Sequence, residues 1–216
     1  MKTFLKSIFV SCFLFIVPVL FSPNFDQLIW DIRIWTTFSF SVILLTYQGE
    51  IKIKNTLINV KTDKYSTFLI FLFGILSQVF SVTEWIYYFN DSRLNAKAFT
   101  IIGLLFLFIG TVIRIDALYK LNKNFTANIT EIEKGKLIQH GIFCFIRHPS
   151  YLGAYLTMLG TSLFFEAIYT FIFSSISLII VYSYRIYFEE KQLVKFFKNK
   201  YIRYKKSTWK MFPYIW

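Results

Sequence analysis

Five long apolar stretches, each near or above the length that crosses a lipid bilayer, dominate this chain. A helix needs about 20 mostly apolar residues to span roughly 30 Å of hydrocarbon. The stretches cover residues 4–21, 29–47, 67–89, 98–119 and 151–184. The composition agrees: 56 % of the 216 residues are hydrophobic and only 17 % charged. Soluble domains average about 45–50 % apolar and about 25 % charged residues. A disordered chain and a collagen-like one are excluded, and a soluble globular domain is disfavoured.

The first stretch follows Met1-Lys2-Thr3, a start like that of a secretory signal. No small-x-small cleavage site follows it, and Ser22-Pro23-Asn24 reads as a turn, so a retained helix is the expectation. The last stretch is 34 residues long, too long for one upright helix and short for two full spans. It reads as a helical hairpin with a tight turn near Glu166, its second arm running on past Glu190. At 1.5 Å per residue the first arm, 151–165, covers about 22 Å, less than the hydrocarbon layer. The expected fold is therefore all-α and multi-pass, with four transmembrane helices plus a C-terminal helical hairpin. Residues 1–113 read as N-terminal membrane helices. Residues 114–216 read as a functional core of polar connection, hairpin and tail.

Charge orients this layout. With the N-terminus in the cytoplasm, 20 of the 24 lysines and arginines fall on the inner side. Arg93 and Lys97 lie outside, and Arg33 and Arg114 fall within spans. That asymmetry obeys the positive-inside rule. It places the polar connection, 120–149, and the tail on the same face. The net charge of +12 then belongs to loops beside anionic lipid headgroups, with no nucleic acid as partner. Two cysteines and two histidines give no disulfide framework and no zinc module. Glu84, inside the third span but far from the cytoplasmic face, reads as structural or interfacial. The aromatic and lysine-rich tail has the composition of an anchor in the headgroup layer.

Two charged clusters flank the hairpin. At its entry stands Arg147-His148-Pro149-Ser150-Tyr151-Leu152-Gly153, and at its exit Arg185-Ile186-Tyr187-Phe188-Glu189-Glu190. A hairpin brings its ends together, so these clusters should meet at the cytoplasmic interface. Each piece also has a plain reading: an anchoring arginine, a proline in a first helical turn, a solvated acidic face.

Taken together, Arg147-His148-Pro149-x-Tyr151-x-Gly153, an apolar stretch, then Glu189-Glu190-x-x-Leu193 resembles the isoprenylcysteine carboxyl methyltransferase family and its phospholipid methyltransferase relatives. Asn124-Phe125, Leu137-Ile138-x-x-Gly141 and Phe197-x-x-x-Tyr201-x-x-Tyr204-x-x-x-Thr208 extend the likeness. It implies a membrane-embedded methyltransferase using S-adenosyl-L-methionine, bound near the cytoplasmic face. Carried over by position, the cofactor contacts are Lys136, Leu137, Ile138, Phe143, His148, Pro149, Ser150, Tyr151 and Glu189, and Arg185 is the catalytic residue on the acceptor side. Phe143 stands where the family usually has tyrosine. Lys198 stands where a glycine often follows the tail's aromatic pair.

The residues suit such chemistry on their own. A carboxylate acceptor is already ionised and asks for no strong base. A guanidinium can hold it in a bidentate grip. Arg185 and Glu189 are four apart on one helical face, so one could meet the acceptor and the other a cofactor ammonium, or the two could bind each other. The expected acceptor is the carboxylate of a C-terminal isoprenylcysteine, on a small lipidated molecule or a prenylated protein, with membrane lipids around it. The alternatives are an amine acceptor, as in phospholipid N-methylation, and a transporter or other non-enzymatic membrane protein on the same scaffold. The membrane would be the inner membrane of a prokaryote or the endoplasmic reticulum of a eukaryote.

Overall fold

The computed structural model describes residues 2–48, 65–88, 97–121 and 137–215. Among these the chain is all-α. Helix α1 (Thr3–Leu20) passes through a short π-helical stretch, Cys12–Ile16. It is followed by α2 (Ile32–Gln48), α3 (Ser66–Tyr88) and α4 (Lys97–Leu121). The hairpin comprises α5 (Pro149–Phe164) and α6 (Ile168–Phe197), and a short α7 (Asn199–Lys206) ends the helical part. The helices α1, α3, α4 and α6 are long and apolar enough to cross a membrane. Helix α5 has 16 residues, about 24 Å by helical rise, and falls short of the hydrocarbon thickness as the sequence predicts.

Glycines decide how α4 meets α5. Gly103 and Gly110 lie two turns apart on α4, as Gly153 and Gly160 do on α5. The helices run antiparallel, so Gly103 faces Gly160 and Gly110 faces Gly153. A methyl group on Gly103 would sit 2.3 Å from the Phe164 backbone nitrogen; one on Gly153 would sit 2.6 Å from that of Arg114. Only small residues allow backbones to approach this closely, a common solution where lipid offers no hydrophobic drive between helices. Hydroxyl pairs join further helices: Ser174 donates to Ser77 at 2.7 Å, and Ser81 and Ser162 share a bond of 2.9 Å.

The hairpin turn is held by charge. Glu166 takes a left-handed conformation, φ 58°, that closes the turn. Its carboxylate accepts from Thr100 at 2.5 Å and from Arg33 Nη2 at 3.3 Å. Glu84, placed as structural or interfacial by its position, caps the start of α6. It accepts from the backbone nitrogens of Tyr169 and Thr170 at 3.0 and 2.7 Å, and from the Thr170 hydroxyl at 2.6 Å. A carboxylate there also complements the positive end of the helix dipole.

The tail departs from a simple anchor. Trp209, Tyr214 and Ile215 are exposed, but Tyr201, Tyr204 and Met211 are buried. The cause is a strap formed with the loop before α5. Arg147 N donates to Trp209 O at 2.8 Å, His148 N to Lys210 O at 2.9 Å, and Trp209 N to Phe145 O at 2.9 Å. The apolar core at this end gathers Leu178, Tyr182 and Ile186 of α6 with Ile146, Leu152 and Met211.

Candidate active site

Both charged clusters do meet, and Glu189 and Glu190 serve different neighbours. Successive residues on a helix point about 100° apart, so adjacent glutamates face different sides. Glu190 turns into the protein, 5 % exposed. Arg147 Nε donates to its Oε1 at 2.7 Å, and Lys205 Nζ reaches Oε2 at 2.8 Å. Arg147 Nη1 also donates to the Thr208 carbonyl and, at 3.1 Å, to that of Lys205. The Arg-Glu pair thus rivets the entry loop, α6 and the tail together. Tyr204 adds a bond of 2.6 Å to the carbonyl of Phe143. Burial pushes the phenols of Tyr201 and Tyr204 well above the ordinary tyrosine range, so both stay protonated as donors.

Glu189 keeps about a fifth of its side chain exposed and belongs to a second group. Tyr151 donates to its Oε2 at 2.6 Å. Arg185 Nε donates in turn to the Tyr151 hydroxyl at 3.1 Å, and stands 3.9 Å from Glu189 Oε2. The expected helical neighbours are therefore joined chiefly through a third residue. The Tyr151 ring is stacked between His148, at 5.6 Å, and Tyr182, at 5.3 Å. On its far side Arg185 Nη1 donates to the hydroxyls of Ser66 and Thr67, each at 3.0 Å.

The other expected site residues divide. His148 is buried with Nε2 3.5 Å from Glu190 Oε1, at the outer limit of hydrogen bonding. Pro149 occupies the first turn of α5. Ser150 is spent on structure: Arg114 Nη1 takes its carbonyl at 2.7 Å and its hydroxyl at 2.8 Å. Phe143 is buried, with its carbonyl engaged by Tyr204. Leu137 and Ile138 lie half-buried in the segment that leads into a short 3-10 turn, Gly141–Cys144. Lys136 lies outside the described residues. Among residues not singled out beforehand, Tyr182 was open to inference, because it stands one turn before Arg185 on the same face of α6. Ser66 and Thr67 were not, since nothing local links them to a residue over a hundred positions away.

The chemistry left open is that of a polar ligand site. His148 Nε2, Tyr182 Oη and Tyr201 Oη are buried and make no hydrogen bond among the described residues. All three belong to the aromatic and charged shell around Tyr151 and Glu189, and Tyr201 lies within the field of both glutamates. Buried polar atoms are normally paired, so orphans on the two rings stacked against Tyr151 and on Tyr201 mark a place prepared for a partner. No group of three or more metal-ligating side chains exists among the described residues.

Comparison with known proteins agrees with this picture. Residues 101–195, which carry α4, the entry loop and most of the hairpin, match the isoprenylcysteine carboxyl methyltransferase (ICMT) family. Over those residues the chain is similar to the ICMT family. The protein named protein-S-isoprenylcysteine O-methyltransferase in Saccharomyces cerevisiae is 31 % identical over 125 residues, 56 % of this chain and 52 % of that protein. The protein of the same name in Schizosaccharomyces pombe is 32 % identical over 113 residues, 51 % and 48 % of the two chains. The one in Dictyostelium discoideum is 30 % identical over 136 residues, 61 % and 56 %. The chain thus spans about half the length of these relatives. A solved structure of a eukaryotic intramembrane Ras methyltransferase ICMT shares the fold with a TM-score of 0.55 at 18 % identity, over 99 % of this chain and 85 % of that one. The chain is accordingly a multi-pass membrane protein that shares the fold of that ICMT structure.

Proposed function

We propose that this protein methylates the carboxylate of a lipidated acceptor, such as a C-terminal isoprenylcysteine, with S-adenosyl-L-methionine as donor. The observation that carries the reading is the partly exposed Glu189 carboxylate bonded to Tyr151, whose ring stacks against His148 and Tyr182, with Arg185 one turn away on the same helix. The charge asymmetry of the loops supports a cytoplasmic position for this group, where a soluble donor is at hand.

The donor set suits that cofactor. Glu189 can accept from its ammonium group, while His148, Tyr182 and Tyr201 can meet its carboxylate or ribose oxygens. When bound, the donor supplies an activated methyl group, so the protein has to align and desolvate rather than activate. Leu137, Ile138 and Lys136 would border the donor on the loop side.

Arg185 would orient the acceptor carboxylate. At least three of its five N–H donors are engaged, by Tyr151, Ser66 and Thr67. A bidentate grip that uses Nε exchanges the Tyr151 hydroxyl for an acceptor oxygen, and leaves that hydroxyl to Glu189. Acceptor and donor sites are linked in this way through one side chain. The lipid portion of the acceptor enters from the bilayer. No general base is needed for an ionised carboxylate.

The test is a methyl-transfer assay with labelled donor and a panel of acceptors. The expected result is transfer to a farnesylcysteine acid and none to its carboxamide. Robust methylation of phosphatidylethanolamine without any of farnesylcysteine would replace this reading with amine methylation. Failure to bind S-adenosylhomocysteine would overturn the enzyme reading altogether.

A further inference from the structure

The function proposed above draws its residues from the hairpin and the loop before it. The hydrogen bonds of Arg185 reach further. Its Nη1 donates to Ser66 and Thr67 at 3.0 Å each, and all three side chains are buried. Ser66 and Thr67 open α3, a helix outside the family-matched segment 101–195. We infer that Ser66 and Thr67 are positioning residues that fix the direction in which Arg185 presents its guanidinium to the acceptor, so that the functional unit includes the start of α3. The inference rests on the acceptor-side role of Arg185.

The physical case is one of pre-organisation. Arginine carries a planar fork on a long flexible stem, and its value in gripping a carboxylate depends on where the fork points. Here one corner, Nη1, is held by two hydroxyls from α3, and Nε by the Tyr151 hydroxyl from α5, while the stem rises from α6. Guanidinium nitrogens only donate, so each hydroxyl serves as acceptor and keeps its own proton for another partner. Held from three helices, the group cannot swing with the rotamer freedom of its stem. A hydrophobic wall would leave buried guanidinium donors unpaired; two adjacent hydroxyls at hydrogen-bond distance satisfy them and supply direction as well.

A purely structural role predicts a general loss, and a positioning role a selective one. The test uses the full chain in detergent or nanodiscs with N-acetyl-S-farnesylcysteine as acceptor and S-adenosylhomocysteine as donor-site probe. Because a misplacement of about 1 Å can cost on the order of a hundredfold in rate, the Ser66→Ala/Thr67→Val pair should lose about tenfold or more in kcat/KM, carried mainly by the acceptor KM. S-adenosylhomocysteine should bind as tightly as to the parent protein, and Thr67→Ser, which restores a hydroxyl, should recover most of the loss. Thr67→Val alone keeps Ser66 and nearly the same volume, and shows the same selective direction if the double variant does not fold. An unchanged acceptor KM, or donor-site affinity falling in parallel, overturns the positioning role. A parent protein that binds S-adenosylhomocysteine but leaves farnesylcysteine unmethylated overturns the acceptor reading, and the positioning role with it.

Discussion

The hydroxyl of Tyr151 donates to Glu189 at 2.6 Å while accepting from Arg185, so one phenol joins the two charged groups assigned to opposite halves of the reaction. Tyr151→Phe removes that link and keeps the ring stacked between His148 and Tyr182. Donor and acceptor should then cease to influence each other's affinity, whereas in the parent protein each should tighten or weaken the other. Calorimetric titration of S-adenosylhomocysteine with and without farnesylcysteine measures the coupling. A variant that retains it disproves the link.

Neighbouring glutamates should fail differently. Glu189→Ala should leave folding nearly intact and weaken S-adenosylhomocysteine binding by about 1.5–3 kcal/mol, the range of a charge-assisted hydrogen bond. Glu190→Ala strands the buried Arg147 guanidinium, so a loss of about 3–5 kcal/mol in stability is expected. Thermal melting and ligand titration on the same two proteins separate the effects. Equal melting temperatures would contradict the division.

Glycine contacts allow an internal control. Gly103→Ala drives a methyl group to 2.3 Å from the Phe164 backbone, which cannot yield without separating α4 from α5. Overpacking of this kind costs about 1–3 kcal/mol or more. Gly74→Ala meets only the terminal methyl of Met158, at 2.9 Å, and that flexible end can turn aside. Melting in detergent should therefore fall sharply for the first variant and little for the second.

Lys198 sits between α6 and α7 at φ 47° and ψ −130°, a conformation that favours glycine. Residues held in such regions cost on the order of 1–3 kcal/mol. Lys198→Gly should recover part of that and raise the melting temperature despite glycine's greater freedom in the unfolded chain. A lower melting temperature would show that the lysine side chain contributes more than its backbone costs.

Topology is checked by labelling. Single cysteines placed at Asn90 and at Glu131 should differ: the first is reached by an impermeant reagent from outside, the second is not. The opposite pattern would part the proposed site from the cytoplasmic supply of donor.

Much of the architecture was readable in advance, because bilayer thickness sets helix length. The apolar stretch at 67–89 became Ser66–Tyr88, and the overlong stretch became a hairpin turning at Glu166. The Arg-His-Pro loop and the two glutamates could be placed together because a hairpin must bring its ends near. Their division of labour could not, since it depends on which helix face meets the tail. Glu84 and Arg33 stood out as charges inside apolar stretches, yet their partners on the hairpin turn lie some 85 and 133 residues away, where no local pattern reaches. The tail misled for a related reason: aromatic and basic residues suit a headgroup layer and a buried strap alike, and only the backbone bonds to Arg147 and His148 distinguish them.

That strap has a bearing on biogenesis. Arg147 and Thr208 are 61 residues apart, and both arms of the hairpin lie between them. A nascent chain must therefore insert α5, reverse at Glu166 and bring α6 back before the knot of Arg147, Glu190 and Lys205 can be tied. Until then the arginine lacks its carboxylate partner, and the entry loop, α6 and the tail are not yet joined. Misrouting either arm during translocation would leave a chain that is anchored and full-length but without this joint.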